Sequence, residues 1–208
     1  MSENIISTFS IPMYMEKVDW DFSKLRQETN VRISNKMAQE GQENQNTSYS
    51  NALRVIEKYP ELKNNILDKH HDFMLGMGIT TNFTITTSWI TSIGKGDGCF
   101  LHRHKNCAYS GLLYFDEDYT NAAPLEFRNP LIHNDSFMFG FGDQPNPFTG
   151  NFQCPPETGK LIIFPSYIEH IVENNQSEHI RKSLAFNFHP IGFIGNGDSS
   201  LNTRWLNL

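Results

Sequence analysis

The sequence predicts an α+β chain whose first half is helical and whose second half is a β-sandwich or jelly roll. Apolar residues recur at helical spacing between about residues 48 and 74. From residue 80 onward the period becomes two, and the segments are rich in the β-branched and aromatic residues typical of strands. No internal repeat is visible.

Two helices are predicted in the first part of the chain. The first lies near residues 48–58, and Tyr59-Pro60 interrupts it because the residue before a proline avoids helical backbone angles. The second runs from about Glu61 to Met74. A shorter strand-like segment, residues 7–14, precedes both.

The second half contains a series of strand candidates. They are residues 80–90, 110–115, 125–128, 160–164, 168–173 and 183–188. The long interruption at 131–157 is rich in Phe, Gly, Asn and Pro, and it is interpreted either as a lid over a site or as a flap covering the open end of the sheet.

We expect one domain, because 208 residues suffice for a single core of their own. Its predicted parts are a helical N-terminal region of about 1–78, a jelly-roll core of about 79–190 and a C-terminal tail, 191–208.

Composition and charge argue against two classes of partner. A net charge of -6 disfavours nucleic acids and anionic membranes, which reward a basic face. No apolar run approaches the roughly 20 residues that a membrane span requires. The three cysteines have no CxxC spacing and are predicted to be free thiols, which favours the cytoplasm.

A pair of imidazoles in one segment is the first candidate for chemistry. His102 and His104 are two residues apart in a predicted strand, so their side chains should point to the same side and form a metal-binding pair. Arg103 and Lys105 alternate with them and are interpreted as solvated charges facing away.

A third histidine and an arginine complete the pattern. His170 follows the turn at Pro165-Ser166, and Arg181 and Ser183 would share one face of a later strand, opposite the apolar Leu184 and Phe186. An arginine beside a serine is suited to clamp a carboxylate, because the guanidinium makes two parallel hydrogen bonds and the hydroxyl adds a third.

This order of residues favours a non-haem Fe(II) oxygenase that uses 2-oxoglutarate. Such enzymes bind the metal through three protein groups on one face and leave positions for co-substrate and dioxygen. Tyr114, at the end of an apolar run, is interpreted either as a hydrogen-bonding partner of the co-substrate or as a barrel aromatic.

The segments around Trp89, His102–His104, Ser110–Tyr114, Gly159–Ser166 with His170, and Arg181–Asn187 resemble a family of 2-oxoglutarate/Fe(II) oxygenases common in marine bacteria and phages. The resemblance covers roughly residues 85–190. It implies a double-stranded β-helix with iron at one mouth, Fe(II) and 2-oxoglutarate as cofactors, and dioxygen and an unknown substrate as partners.

One position departs from the superfamily, whose usual triad is His-x-Asp/Glu…His. Here His104 occupies the carboxylate position. Either His102, His104 and His170 all bind the metal, which we favour, or a carboxylate such as Asp116 or Glu126 approaches from a neighbouring strand.

Two rival functions remain open at the level of sequence. A cupin-like three-histidine metalloenzyme without 2-oxoglutarate would account for His104, but it leaves Arg181 and Ser183 without a role. A non-catalytic jelly-roll binding module with a degenerate site is the other. The substrate itself, whether an amino acid, a peptide or protein side chain, or a small metabolite, is not predicted.

Overall fold

The computed structural model describes residues 10–28, 32–34, 47–49, 53–130 and 151–203, which form two larger antiparallel sheets, a two-stranded sheet and few helices. The helices are α1 (Ser23–Arg26) and α2 (Pro60–Gly76), with 3-10 turns at Val55–Lys58 and Gly197–Ser199. The strands are β1 (Tyr14–Lys17), β2 (Arg32–Ser34), β3 (Thr47–Tyr49), β4 (Asn82–Ile93), β5 (Cys99–His102), β6 (Tyr109–Tyr114), β7 (Leu125–Phe127), β8 (Phe152–Cys154), β9 (Lys160–Pro165), β10 (His170–Val172), β11 (Arg181–Ile191), β12 (Phe193–Ile194) and β13 (Leu201–Asn202).

The larger sheet has the strand order β1-β9-β6-β11-β4-β3-β2, and the smaller one has the order β5-β10-β7-β8. Several strands that are neighbours in these sheets, such as β1 with β9 and β4 with β11, are distant in the chain, as in a jelly roll. The α+β class and the two-sheet core predicted from the sequence are confirmed. Strands β12 and β13 pair separately as a small hairpin.

Helix α2 confirms the second predicted helix. Pro60 is its first residue, where the missing N–H costs nothing, and its buried face packs on the larger sheet. The first predicted helix is wrong at Thr47–Tyr49, which pairs with β4, because these residues favour an extended backbone. Among the residues of that segment that the structure describes, Val55–Lys58 is helical, as a 3-10 turn. No helix in the described ranges is long and apolar enough to cross a membrane.

The interruption predicted at 131–157 is shorter than expected. Phe152–Cys154 forms β8 and pairs with β7, so that end belongs to the smaller sheet. Residues 131–150, on which the lid and flap interpretations depend, lie outside the described residues.

The larger sheet is covered on both faces. One face packs against α2, and the other faces the smaller sheet. Neighbouring residues on a strand therefore enter different cores: Leu113 lies on the helix side, whereas Leu112 and Ile162 lie between the sheets.

Strand β11 is central, because it pairs with β4 on one side and with β6 on the other. Leu184, Phe186 and Phe188 are fully buried on the helix side. Burial of each of these side chains contributes about 1.5–3 kcal/mol to stability. Phe186 also lies over Gly111 of β6, where a Cβ would be 2.4 Å from the phenyl ring, so the close approach of these strands requires glycine.

One histidine of α2 is buried among aromatic rings on this side. The imidazole of His70 stacks on Phe188 at 4.0 Å between ring centroids and lies 4.6 Å from the Phe83 ring. Its Nε2 has no hydrogen-bond partner among the described residues. Burial, reinforced by the neighbouring His71, lowers the pKa of His70 to about 4.

We expect His70 to make the fold sensitive to acid. The unfolded chain binds a proton below pH 6.5, whereas the folded chain does so only near pH 4. Stability should therefore fall across this window, by about 3 kcal/mol from this group. Urea unfolding measured at a series of pH values should give a shallower loss in His70→Leu than in the wild type. Leu75→Gln, an exposed and non-titrating change on the same helix, is the control, and equal slopes for all three proteins would contradict the prediction.

Candidate active site

The three predicted histidines meet at one end of the smaller sheet. His102 ends β5 and His170 begins β10, and the two residues pair directly across these antiparallel strands. His104 lies beyond the end of β5, where its backbone N–H donates to the Ser166 carbonyl at 3.1 Å. The prediction that one strand presents both His102 and His104 is thus wrong in detail, although the two rings do lie together.

The ligand nitrogens of His102, His104 and His170 all lie within 4.8 Å of one another. Nδ1 of His102 lies 2.8 Å from the Phe100 carbonyl, and Nδ1 of His170 lies 3.0 Å from the Ile168 carbonyl. Because a carbonyl can only accept, each Nδ1 carries the proton and each Nε2 keeps a free lone pair. Backbone contacts of this kind fix the tautomer and orientation of metal-binding histidines.

Burial sets the charge of this cluster. It lowers the pKa of His104 to about 4, with a further contribution from His102, and it lowers the pKa of His170 well below its usual value. Burial also acts to lower the pKa of His102, but the Cys99 thiol and the Phe100 carbonyl beside Nδ1 outweigh it, and that pKa is raised. His104 and His170 are therefore neutral near pH 7, as metal ligands must be.

Neither carboxylate alternative reaches the cluster. Glu126 accepts hydrogen bonds from the side-chain amides of Asn151 and Gln153, each at 2.8 Å. Asp116 lies 3.9 Å from the Lys182 ammonium. Within the described ranges, the group that could hold a metal consists of the three histidines alone.

Arg181 is buried, with 2% of its surface exposed. Its Nε donates to the Ala123 carbonyl at 2.9 Å, and one terminal nitrogen donates to the Tyr114 hydroxyl. The guanidinium carbon also lies 4.9 Å from the centre of the Tyr114 ring. None of the ion pairs among the described residues involves Arg181. A buried cation without an acidic partner is costly, which indicates that an anion binds there.

The other two residues predicted to bind the co-substrate, Ser183 and Tyr114, lie beside this arginine. Ser183 follows it on the same face of β11 and pairs with Tyr114 of β6. Tyr114 is fully buried, and burial raises its pKa, so the phenol stays protonated. The structure therefore places Tyr114 behind Arg181, in contact with the guanidinium, whereas Arg181 and Ser183 line the cavity between the sheets.

This cavity, of about 550 Å³, joins the histidines to the arginine. Trp89 and Phe100 contribute apolar walls, and the Trp89 ring lies 5.7 Å from the His104 ring. Arg103 and Lys105 are exposed as expected, but they line the same cavity as the histidines. They do not face away because β5 ends at His102, and the alternation of a strand no longer applies beyond it.

A polar network beneath His104 was not predicted from the sequence. The Asn187 amide accepts from the Ser110 hydroxyl at 2.8 Å and donates to the Thr87 hydroxyl at 3.0 Å. Ser110 also contacts the hydroxyl of Ser166, the residue whose carbonyl receives the His104 N–H. Serine and threonine are common in strands, and only their register across three strands brings these groups together.

A second unpredicted residue supports Arg181. The buried Asn175 side chain accepts from the Ala123 N–H at 3.1 Å and donates to the Ile93 carbonyl at 3.2 Å. It thereby holds Ala123, whose own carbonyl binds the arginine. The adjacent asparagines at 174 and 175 indicate only a turn at the level of sequence.

Replacing Asn187 with leucine should destabilise the protein. The substitution leaves the Ser110 and Thr87 hydroxyls without this partner, which costs about 1–3 kcal/mol. Urea unfolding measures the effect, and Ser23→Ala, an exposed hydroxyl change on α1, is the control. A variant as stable as the wild type would contradict the assigned network.

Comparisons with known proteins agree with this geometry. The model of the family described as "Putative 2OG-Fe(II) oxygenase" matches residues 87–187, just under half of the chain. That range contains the three histidines, Arg181 and Ser183. No curated protein sequence matches the chain.

Solved structures share the fold at low sequence identity. An oxidoreductase of the 2OG-Fe(II) oxygenase family from Burkholderia pseudomallei superposes with a TM-score of 0.53 at 12% identity, covering 86% of this chain and 73% of that one. HygX from Streptomyces hygroscopicus, crystallised with nickel, 2-oxoglutarate and hygromycin B, gives a TM-score of 0.54 at 11% identity, covering 86% and 83%. These likenesses confirm the double-stranded β-helix. The family match adds that residues 87–187 are similar to 2OG-Fe(II) oxygenases, enzymes that use Fe(II) and 2-oxoglutarate.

Proposed function

We propose that His102, His104 and His170 hold the Fe(II), and that Arg181 and Ser183 hold the distal carboxylate of 2-oxoglutarate. The observation that carries this assignment is one cavity that contains both the histidine cluster and a buried arginine without an acidic partner among the described residues.

The donor set fits the metal. Two of the three histidines have their Nδ1 protons bound to backbone carbonyls, so each presents a lone pair on Nε2. Iron held there supplies the activation of dioxygen that couples conversion of 2-oxoglutarate to succinate and carbon dioxide with oxidation of a substrate C–H bond. Three imidazoles bring no negative charge, and a carboxylate co-substrate compensates the metal's positive charge.

The protein's own contributions are binding, orientation and exclusion of water. The Arg181 guanidinium, fixed by Ala123 and Tyr114, presents a rigid fork to one end of the co-substrate, and Ser183 adds a hydroxyl. Tyr114 acts by holding Arg181 in place, and as a protonated phenol it retains one proton for donation. Phe164 and Trp89 flank the histidines and keep that end of the cavity apolar.

The rival without 2-oxoglutarate is disfavoured by the same residues. A three-histidine dioxygenase or isomerase would need the histidine cluster, but its reaction would not require a buried arginine without an acidic partner in the same cavity. A non-catalytic module would need neither.

We further propose that the chain forms one domain and acts in the cytoplasm. Strands β1 and β3, which precede residue 79, join the same sheet as the core strands, which supports a single unit. None of the three cysteines is in a disulfide, and unbridged thiols are typical of a reducing compartment.

Substitution of Arg181 by methionine should abolish 2-oxoglutarate binding and leave metal binding intact. The loss should exceed about 100-fold, because a bidentate charge-assisted contact is removed. Calorimetric titration of metal and then of 2-oxoglutarate measures both affinities. Lys182→Met, the next residue on the opposite face of β11, is the control, and Arg181→Lys should bind with intermediate affinity. Unchanged 2-oxoglutarate binding in folded Arg181→Met would refute the clamp.

Each of His102→Ala, His104→Ala and His170→Ala should weaken metal binding by more than about 100-fold, since each removes a direct ligand. His179→Ala, which loses only a surface contact with Asp118, should bind normally. Succinate released when oxygen is admitted to anaerobically loaded protein reports the reaction. If His104→Ala retains full metal affinity, the three-histidine assignment is wrong, and if the wild type binds neither metal nor 2-oxoglutarate, the proposed function fails.

A further inference from the structure

The charges that line the active-site cavity all have one sign. Apart from the histidines, its charged lining residues within the described ranges are Arg103, Lys105 and Arg181. No aspartate or glutamate among the described residues lines it. This is the opposite of the chain as a whole, which carries a net charge of -6. The cavity therefore concentrates positive charge in an acidic protein.

These three cations occupy two different environments. Arg181 is buried and fixed by Ala123 and Tyr114. Arg103 and Lys105 are exposed and flank His104, so they form the mouth of the cavity beside the metal ligands. None of the ion pairs among the described residues involves either of the two.

One co-substrate anion does not account for both environments. The deep arginine suffices for the distal carboxylate of 2-oxoglutarate, which leaves the two outer cations for a second anion. The same cavity is lined by the apolar side chains of Leu53, Trp89 and Phe100. Such a surface complements an apolar body that bears a charged group at its outer end.

We propose that the substrate is a small organic anion with an apolar body, and that Arg103 and Lys105 bind its carboxylate or phosphate group. This inference rests on the proposed function, because it assigns Arg181 to 2-oxoglutarate. The bound anion would lie at the mouth and direct the apolar part inward, toward His104 and the other two histidines. Arg103 and Lys105 then act as specificity-determining residues for the oxygenase.

The test uses full-length protein loaded anaerobically with Ni(II) and saturating 2-oxoglutarate, so that probes cannot occupy the Arg181 site. The probes share a phenyl body and differ in charge: 3-phenylpropionate, phenyl phosphate, 3-phenylpropionamide and phenethylamine. Ligand-observed NMR gives the affinity of each. We expect the two anions to bind about tenfold more tightly than the amide, and the amine to bind most weakly. The affinity of the anions should fall as salt is added. The tighter of the two anions identifies the source as carboxylate or phosphate.

A charge-matched pair of variants locates the site. Arg103→Gln/Lys105→Gln should lose the preference for anions, with affinities about tenfold lower. Lys17→Gln/Lys95→Gln removes the same net charge from exposed surface ion pairs and should bind like the wild type. Metal and 2-oxoglutarate affinities, measured in the same samples, should be equal in all three proteins.

Several results would overturn the proposal. It fails if the mouth variant binds both anions like the wild type, or if the amide and amine bind as well as the anions. It also fails if a single-stranded oligonucleotide binds more tightly than every small anion, since the partner would then be a nucleic acid. Intact metal and 2-oxoglutarate binding in these cases leaves the proposed function standing, whereas absence of both in the wild type refutes that function separately.

Discussion

The alternation of side chains along β11 is the constraint on which the rest of the molecule depends. From Ser183 to Phe188 the strand lies between β4 and β6, and pairing on both edges specifies its register there. One face buries Leu184 and Phe186 against the helix side, which fixes the strand in place. The other face must then present Arg181 and Ser183 to the cavity. The same hydrophobic burial that stabilises the fold therefore positions the two residues proposed to bind the co-substrate.

The electrostatics of the site follow from placing Arg181 and three histidines in a cavity that no aspartate or glutamate among the described residues lines. Arg181 is tolerated because a carbonyl, a phenol oxygen and an aromatic face replace part of its hydration. His104 and His170 avoid the cost by losing their protons, as their lowered pKa values indicate. The cavity therefore has an excess of positive charge. A bound metal ion would add to this charge, and a dicarboxylate would neutralise part of it. Two features make the cavity more positive: His104 stands where the superfamily has a carboxylate, and Arg103 and Lys105 line the mouth.

Backbone carbonyls contact each of the functional groups, and the Tyr114 side chain also holds Arg181. The Phe100 and Ile168 carbonyls orient two histidines, and the Ser166 carbonyl receives the N–H of the third. The Ala123 carbonyl does the same for Arg181. Two of these residues are themselves held by polar contacts, because the Ser166 hydroxyl contacts Ser110 and the Ala123 N–H donates to Asn175.

Much of this protein could be predicted from local sequence patterns. The change of period near residue 80 and the Pro60 start of α2 reflect local conformational preferences, which is why the elements were found close to their actual bounds. The face that Arg181 and Ser183 share could also be predicted, because alternation within one strand needs no knowledge of its neighbours.

Tertiary structure alone decided which distant groups meet. His102 pairs with His170 because of the register between two strands that are far apart in the chain. The position of His104, beyond the end of β5, depends on the same register. The same holds for the network of Asn187 and Ser110 and for the support that Asn175 gives to Ala123. Arg103 and Lys105 were placed on the wrong side because the end of a strand is set by its hydrogen-bonding partners. Local pattern determined which side chains could share a face, and packing of the two sheets determined which faces enclose the site.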